Sequence, residues 1–266
     1  MDFVPKNSRR VNVYTVDVIM KKIILVGATS GVGLGFIESQ IEKDVFITCL
    51  YRDETKLDKL KQKFAKYLEK LSFVKIDISD VPNIENTIKS QLSETQKYDA
   101  LVFCAGKANL TRPKNATYEK VFDVMNVNFF SFVELLRVIL NKYKLKDGIF
   151  RVVAISSQAA KITSSHNALY GASKAALDNY IRSSAKDLSK NNVLINSIAP
   201  AFIDTDMINN VRKAYTPEEF EKYIKGVQCL GLIPVKEIAA EIDYLLWTSS
   251  YVTGTVRSIN AGASTY

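Results

Sequence analysis

The chain has little of what metal centres and disulfide scaffolds are built from: three cysteines and one histidine in 266 residues. Cys49, Cys104 and Cys229 are odd in number, widely spaced and each set in an apolar context. That pattern predicts buried, reduced thiols rather than a disulfide framework or a zinc site. With His166 as the only histidine, a His/Cys metal cluster is all but excluded, and no metal is expected. No apolar run approaches the ~18 residues that a membrane span needs. The opening MDFVPKNSRRVNVYTVDVIM lacks the apolar block and small-residue cleavage site of a signal peptide. Residues 1–19 read as an extension, or an upstream start, ahead of Met20. Linkers, low-complexity tracts and internal repeats are missing too, so one α/β domain over residues 20–266 is expected. A cytoplasmic protein with no membrane partner follows.

What is there begins with a basic excess, +8 at neutral pH. Much of it lies in ETKLDKLKQKFAKYLEK, where Lys56, Lys59, Lys63, Lys66 and Lys70 alternate with Leu57, Leu60, Phe64 and Leu68. This predicts an amphipathic helix with a solvated basic face. Nothing beyond charge argues for nucleic acid, and no such partner is expected.

Apolar, β-branched runs alternate with stretches of helical period along the chain. KIILV, DVFITCL, LSFVKI, DALVFCA, IFRVVAIS, NVLINSI and TVRSI are strand candidates, and YEKVFDVMNVNFFSFVELLRVILNKY is the longest helical pattern. Strand and helix in alternation predict a parallel sheet covered on both faces, and right-handed crossovers make a doubly wound, Rossmann-like sheet of about seven strands the expected fold. One stretch breaks the rhythm: residues 204–234, between a strand and the next helix, would overhang the carboxyl ends of the strands as a substrate lid.

Directly after KIILV comes GATSGVGLG, with Gly27, Gly31, Gly33 and Gly35, then a helical pattern. Glycines between a strand and a helix let backbone N–H groups and a helix N-terminus approach a pyrophosphate. The second strand ends CLYRDETK, with Tyr51 where an NAD site tends to carry an acid and Arg52 after it. A guanidinium can pair a 2′-phosphate that a carboxylate would repel, which favours NADP(H). Asp53 keeps NAD(H) as the less favoured alternative.

LYGASKAAL places Tyr170 and Lys174 four residues apart, on one face of a helix. In a lysine-rich chain with 13 tyrosines that spacing alone arises by chance. Taken with its neighbours it does not: the chain resembles the short-chain dehydrogenase/reductase family, in its shorter branch, from residue 20 to the C-terminus. Val26-Gly27-Ala28-Thr29-Ser30-Gly31-Val32-Gly33 resembles the family's T-G-x-x-x-G-x-G. Phe103-Cys104-Ala105-Gly106 retains the second half of its N-N-A-G, and NVLINSIAPAFIDTDM resembles the segment lining the nicotinamide, with Ala201 for the family's glycine.

The resemblance implies a catalytic set of Asn126, Ser157, Tyr170 and Lys174. It implies cofactor contacts from Gly27, Thr29, Ser30, Gly31, Val32, Gly33, Arg52, Asp77, Ile78, Ala105, Gly106, Pro200, Ile203 and Thr205, besides Tyr170 and Lys174 themselves. In those roles Tyr170 exchanges a proton with the substrate oxygen, and Ser157 hydrogen-bonds that oxygen. Lys174 holds the nicotinamide ribose, and its ammonium is expected to favour the Tyr170 phenolate. Asn126 holds a water linking Lys174 to solvent, with Asn128 close by as its competitor; Ser156 competes with Ser157. His166 reads as a solvated loop residue.

The implied activity is hydride transfer between nicotinamide and a small carbonyl or secondary alcohol. The general look is closest to 3-oxoacyl-acyl-carrier-protein reductases, whose acidic carrier could meet Lys142, Lys144 and Lys146. An NADP(H)-sensing regulator that does no chemistry is the alternative. Pairing through the Tyr118 and Tyr170 helices into a homodimer or homotetramer is also implied.

Overall fold

The computed structural model describes residues 20–162 and 166–263, so the expectation for residues 1–19 lies outside the described residues. Seven strands form one parallel sheet: β1 (Lys21–Val26), β2 (Val45–Tyr51), β3 (Leu71–Lys75), β4 (Ala100–Phe103), β5 (Phe150–Ile155), β6 (Val193–Pro200) and β7 (Val256–Ile259). Their order is β3-β2-β1-β4-β5-β6-β7. Each coincides with a run picked out in the sequence, because a parallel strand covered on both faces is apolar on both. The chain reverses its winding between β1 and β4, and that crevice is where such sheets take their ligands.

Helices α1 (Gly31–Gln40), α2 (Glu54–Lys63), α3 (Ile84–Gln91), α4 (Tyr118–Met125), α5 (Ser131–Lys142), α6 (Ala168–Ser189), α7 (Asn209–Arg212), α8 (Pro217–Val227) and α9 (Val235–Asp243) fill the crossovers and the C-terminal third. Two apolar cores result, one on each face of the sheet. The first joins Phe103, Phe132, Leu135, Phe150 and Ile181; the second joins Leu25, Phe36, Ile47, Val102 and Ile238. No helix among the described residues is long and apolar enough to cross a membrane.

Three local expectations need correction. The lysine-rich stretch is not one helix: α2 stops at Lys63, and a 3-10 segment, Ala65–Lys70, follows. Nor is its basic face simply solvated. Lys63 pairs with Glu38, and Lys70 donates to the carbonyls of Ile41 (3.1 Å) and Lys43 (2.9 Å) just beyond α1. The Tyr118 helical pattern is interrupted by a π-helical turn, Asn126–Phe130, between α4 and α5. Finally, Cys49 is buried, but Cys229 is exposed, its neighbour Leu230 lying open to solvent.

Residues 204–234 carry α7 and α8 over a small core of their own, Ile208, Phe220 and Ile224, with Phe202 and Tyr223 against it. Gln228 ties its far end down. Fully buried, it accepts from Phe202 N (2.8 Å) and donates to the carbonyls of Phe202 (2.9 Å) and Gly231 (2.6 Å).

Candidate active site

The site residues stand on the loops that leave the carboxyl ends of six strands. After β1, Gly27 has φ +80°, and a Cβ there would lie 2.8 Å from the amide nitrogen of Ala105, after β4. The two loops therefore touch across the crevice through a glycine that no side chain could replace. A Cβ on Gly33 would meet the Gly27 carbonyl at 2.1 Å, so the start of α1 lies directly on the turn. Ser30, the N-cap of α1, makes no side-chain cap bond, which leaves the first-turn N–H groups and its own hydroxyl for a ligand. Val32 is buried two residues further on. Thr205 closes the turn from the other side, its Cγ2 3.5 Å from where a Gly31 Cβ would stand. A groove of about 260 Å³ runs from Thr29, Ser30 and Gly31 to Lys56, Lys59 and Asp206.

Beyond β2, Arg52 reaches out, 71% exposed and 3.9 Å from the Asp77 carboxylate after β3. Asp53, the alternative ribose ligand, is already committed as the N-cap of α2, accepting from Lys56 N at 3.1 Å. Asp77 accepts from Ser79 N (2.9 Å) and Ser79 Oγ (2.7 Å), which with Arg52 holds its carboxyl below the usual range against partial burial. Ile78 and Ala105 pack on the core beneath. Pro200 ends β6, and Ile203 bridges to Ile233, fixing the entry to residues 204–234.

Ser157, Tyr170 and Lys174 come together. Ser157 is extended (φ −162°, ψ 152°) and caps a short 3-10 turn, Gln158–Ala160, accepting from Ala159 N at 3.1 Å. Gln158 staples that turn to β6 and β7 through the Ala199 carbonyl (2.7 Å) and Ser258 Oγ (2.6 Å). A Cβ on Gly171 would lie 2.6 Å from the Ala159 carbonyl, so only glycine lets the first turn of α6 bring Tyr170 up to Ser157. Lys174 is buried, its Nζ 5.8 Å from the Tyr170 ring centre and donating to the Ile155 carbonyl at 2.7 Å. The same nitrogen lies 3.4 Å from where a Gly106 Cβ would be.

The electrostatics depart from expectation. Burial pushes the Tyr170 phenol above its ordinary value, and the Ser157 hydroxyl opposes this. Burial also drives Lys174 down to about 8, with Asp178 and Cys104 acting against the fall. Desolvation outweighs the stabilisation of a phenolate that the sequence led us to expect. Cys104 itself is pushed up to about 12 by burial, a poor nucleophile.

Asn128, not Asn126, is the asparagine that the fold brings near Lys174. Asn126 Nδ2 donates to the Ser79 carbonyl (3.2 Å), facing the loop after β3. Asn128 is fully buried and donates to Ser173 Oγ (2.8 Å) and the Lys107 carbonyl (2.9 Å), while accepting from Lys107 N (2.7 Å). Its Oδ1 and Lys174 Nζ both lie within 4 Å of the Gly106 Cβ position. Residues two apart on a helix face opposite ways, so the two asparagines cannot share one role. Ser156 is buried behind Ser157 and does not compete with it. His166 is exposed, yet its Nε2 accepts from Arg112 Nε at 3.0 Å. Of the three C-terminal lysines of the α5 region, Lys142 is paired with Glu94 (2.8 Å) and Lys144 donates to the Leu145 carbonyl (3.0 Å).

The chain is similar to known proteins in sequence and in fold. The family model described as short chain dehydrogenase matches residues 21–216. An uncharacterised oxidoreductase of Saccharomyces cerevisiae is 31% identical over 205 residues, 74% of this chain and 77% of its own length. A 3-oxoacyl-[acyl-carrier-protein] reductase of Chlamydia pneumoniae is 24% identical over 250 residues, 93% and 98% of the two chains. Among solved structures, an actinorhodin polyketide ketoreductase with NADPH superposes at a TM-score of 0.82 with 22% identity, covering 92% of this chain and 98% of that one.

Proposed function

Because the chain belongs to the short chain dehydrogenase family, an oxidoreductase family, we propose that it is an NADP(H)-dependent carbonyl reductase or alcohol dehydrogenase. The observation that carries the reading is the meeting of Ser157, Tyr170 and Lys174 beside Gly106, at the crevice where the sheet reverses its winding. The bound cofactor supplies or accepts the hydride.

The chain's own residues do the rest. The α1 N-terminus, Gly27, Thr29, Ser30, Gly31, Val32 and Gly33 receive the pyrophosphate. Arg52 takes the 2′-phosphate, favoured over NAD(H) because Asp53 is spent as a helix cap. Asp77 and Ile78 border the adenine, and Ala105, Gly106, Pro200, Ile203 and Thr205 border the nicotinamide half. Ser157 Oγ donates to the substrate oxygen as charge develops on it. Tyr170 gives that oxygen its proton during reduction and removes it during oxidation. A raised phenol is a reluctant anion, so near neutrality Tyr170 keeps the proton it gives in the reductive direction. Lys174 holds the ribose from below, and Asn128 rather than Asn126 braces the polar connection behind it.

Residues 204–234 act as the substrate lid, hinged at Ile203 and Gln228. A 3-oxoacyl thioester is the substrate class suggested by the acyl-carrier reductase relative; sugar, polyketide and other small ketones are the alternatives. With Lys142 and Lys144 spent in local bonds, the α5 terminus offers an acidic carrier less free charge than its sequence suggested. A homodimer or homotetramer through the Tyr118 pattern, α4 with α5, and α6 is part of the same reading, supported by the exposed Tyr118 and Phe122, whose rings lie 4.3 Å apart on α4. A cytoplasmic location goes with it, supported by free thiols at Cys49, Cys104 and Cys229.

The test is NADPH oxidation against a 3-oxoacyl thioester, a diketone, a keto-sugar and a bicyclic ketone, with Tyr170→Phe alongside. Turnover of one class, lost in Tyr170→Phe while NADPH still binds, is the expected result. NADPH binding without turnover of any class would favour the non-catalytic sensor.

A further inference from the structure

One buried carboxylate has no part in the chemistry above. Asp178 lies one helical turn beyond Lys174 on the same inward face of α6, and each of the two side chains is 2% exposed. Ser197 Oγ, from β6, donates to Asp178 Oδ1 at 2.8 Å. The two groups form no direct ion pair among the described residues, and Lys174 Nζ gives its short bond to the Ile155 carbonyl instead. A buried, ionised carboxylate is costly unless it is hydrogen-bonded and sees positive charge, and a packed apolar residue would be the ordinary choice here. Leu177, Ile181 and Ala185 fill the rest of the face.

We infer that Asp178 is a positioning residue for the reaction: a buried counter-charge, pinned by Ser197, that keeps Lys174 in its ammonium form while the lysine holds its place beneath the cofactor. The inference rests on the proposed oxidoreductase role for its purpose, though not for its measurement. Burial alone strips protons from an interior lysine, and among the described residues no carboxylate stands within ion-pair distance of Lys174, whose Nζ donates to the Ile155 carbonyl. In a medium of low effective dielectric, a full charge one helical turn away is still felt strongly. The groups that face the pair are few. On α6 they are Tyr170 and, on the far side of Asp178, Arg182. The loop after β4 brings the Cys104 thiol. The end of β5 presents Ser156, β6 presents Ser197 and the π-helical turn presents Asn128, all neutral. Asp178 is therefore the one carboxylate acting on Lys174 from within this cluster. The directions agree: Asp178 opposes the depression of Lys174, and Lys174 and Arg182 oppose the rise of Asp178.

The experiment follows the ¹³Cε shift of Lys174 across pH in lysine-labelled, full-length protein, with Lys174→Met to assign the signal. In the wild type the midpoint is expected near 8. In Asp178→Asn, which keeps an acceptor for Ser197, the midpoint should fall about tenfold in proton affinity, and Asp178→Glu should restore it. A midpoint unmoved in Asp178→Asn overturns the inference. Should Asp178→Asn not fold, the wild type still decides. The Asp178 carboxyl carbon must then show an inflection at the Lys174 midpoint, and its absence overturns the inference equally. None of these readouts needs turnover, so an inactive protein with coupled titrations would count against the proposed function and leave Asp178 its role. Where turnover exists, the alkaline limb of carbonyl reduction should move to lower pH in Asp178→Asn. A merely structural residue would lower the whole curve without moving the limb.

Discussion

Gly171→Ala separates helix propensity from site geometry, because the two act in opposite directions at this residue. In the first turn of α6, alanine should stabilise the helix by about 1 kcal/mol relative to glycine. Its Cβ, however, would lie 2.6 Å from the carbonyl oxygen of Ala159. Carbon and oxygen rest no closer than about 3.3 Å, so helix and turn must part by about 0.7 Å. Neither side yields easily, since the turn is stapled to β6 and β7 by Gln158 and the helix is anchored by Lys174. Overpacking of this kind costs about 1–3 kcal/mol, which leaves a net loss of about 0–2 kcal/mol. The parting falls directly between Ser157 and Tyr170. A misplacement of about 1 Å can cost ~10²-fold in rate, so at least a tenfold loss of kcat is expected with cofactor affinity retained. Urea unfolding and steady-state NADPH oxidation on one preparation read both quantities. Gly226→Ala, near the end of α8 with nothing within 4 Å of its Cβ, is the control and should gain several tenths of a kcal/mol. A Gly171→Ala protein as active as wild type, and stabilised as much as the control, would refute the close approach.

Three further outcomes are expected. Arg52→Ser should weaken NADPH binding about 10- to 100-fold, the worth of a charge-assisted bond, and leave NADH nearly unchanged; fluorescence titration with both cofactors checks it, and equal losses would remove Arg52 from the 2′-phosphate. Lys174→Met should abolish turnover, and its stability relative to wild type should be greatest below about pH 8. The folded state depresses this lysine from 10.5 to about 8, so its ammonium is penalised at every pH below about 8, by something on the order of 3 kcal/mol. That penalty is relieved as pH rises from about 8 towards 10.5, so the stability gap between variant and wild type should close over that window in scanning calorimetry. Gln228→Ala strands buried partners on Phe202 and Gly231, and should speed proteolytic nicking within residues 204–234 severalfold before global unfolding is affected.

The strands were legible because a central parallel strand has no wet face, and KIILV or IFRVVAIS can be little else. The glycine turn was legible for the complementary reason, that Gly27 and Gly33 sit where a Cβ would strike backbone. Where the sequence misled, a local pattern continued across a break made by tertiary contacts. The Lys/Leu alternation runs on through Phe64, yet Lys70 turns back to Ile41 and Lys43 and the helix ends before it. Cys229 has apolar neighbours in sequence, but Leu230 beside it points to solvent. The titration of Tyr170 went astray because charge proximity is visible in a spacing, whereas the depth of burial around the pair is not.

Asn128 and Asp178, by contrast, were hidden in signals the sequence did contain. Along the Tyr118 pattern the buried positions are Val124, Asn128, Ser131, Phe132, Leu135, Leu136, Val138 and Ile139. Val124, Asn128, Phe132, Leu135 and Ile139 stand at three- and four-residue steps within that set, so Asn128 lies on the inward stripe and Asn126 does not. On α6 the buried set is Ser173, Lys174, Leu177, Asp178, Ile181 and Ala185, again one stripe, with Asp178 in a place that packing alone would give to leucine. A polar residue on an otherwise apolar stripe must find a buried partner or destabilise the fold. Asn128 finds Lys107 and Ser173, and Asp178 finds Ser197. Both stripes converge beneath Gly106, where Lys174 is held without a direct counter-ion. The cost of burying Asn128, Lys174 and Asp178 thus falls on two neighbouring stripes, under the expected seat of the nicotinamide ribose, where a fold selected for stability alone would have put hydrocarbon.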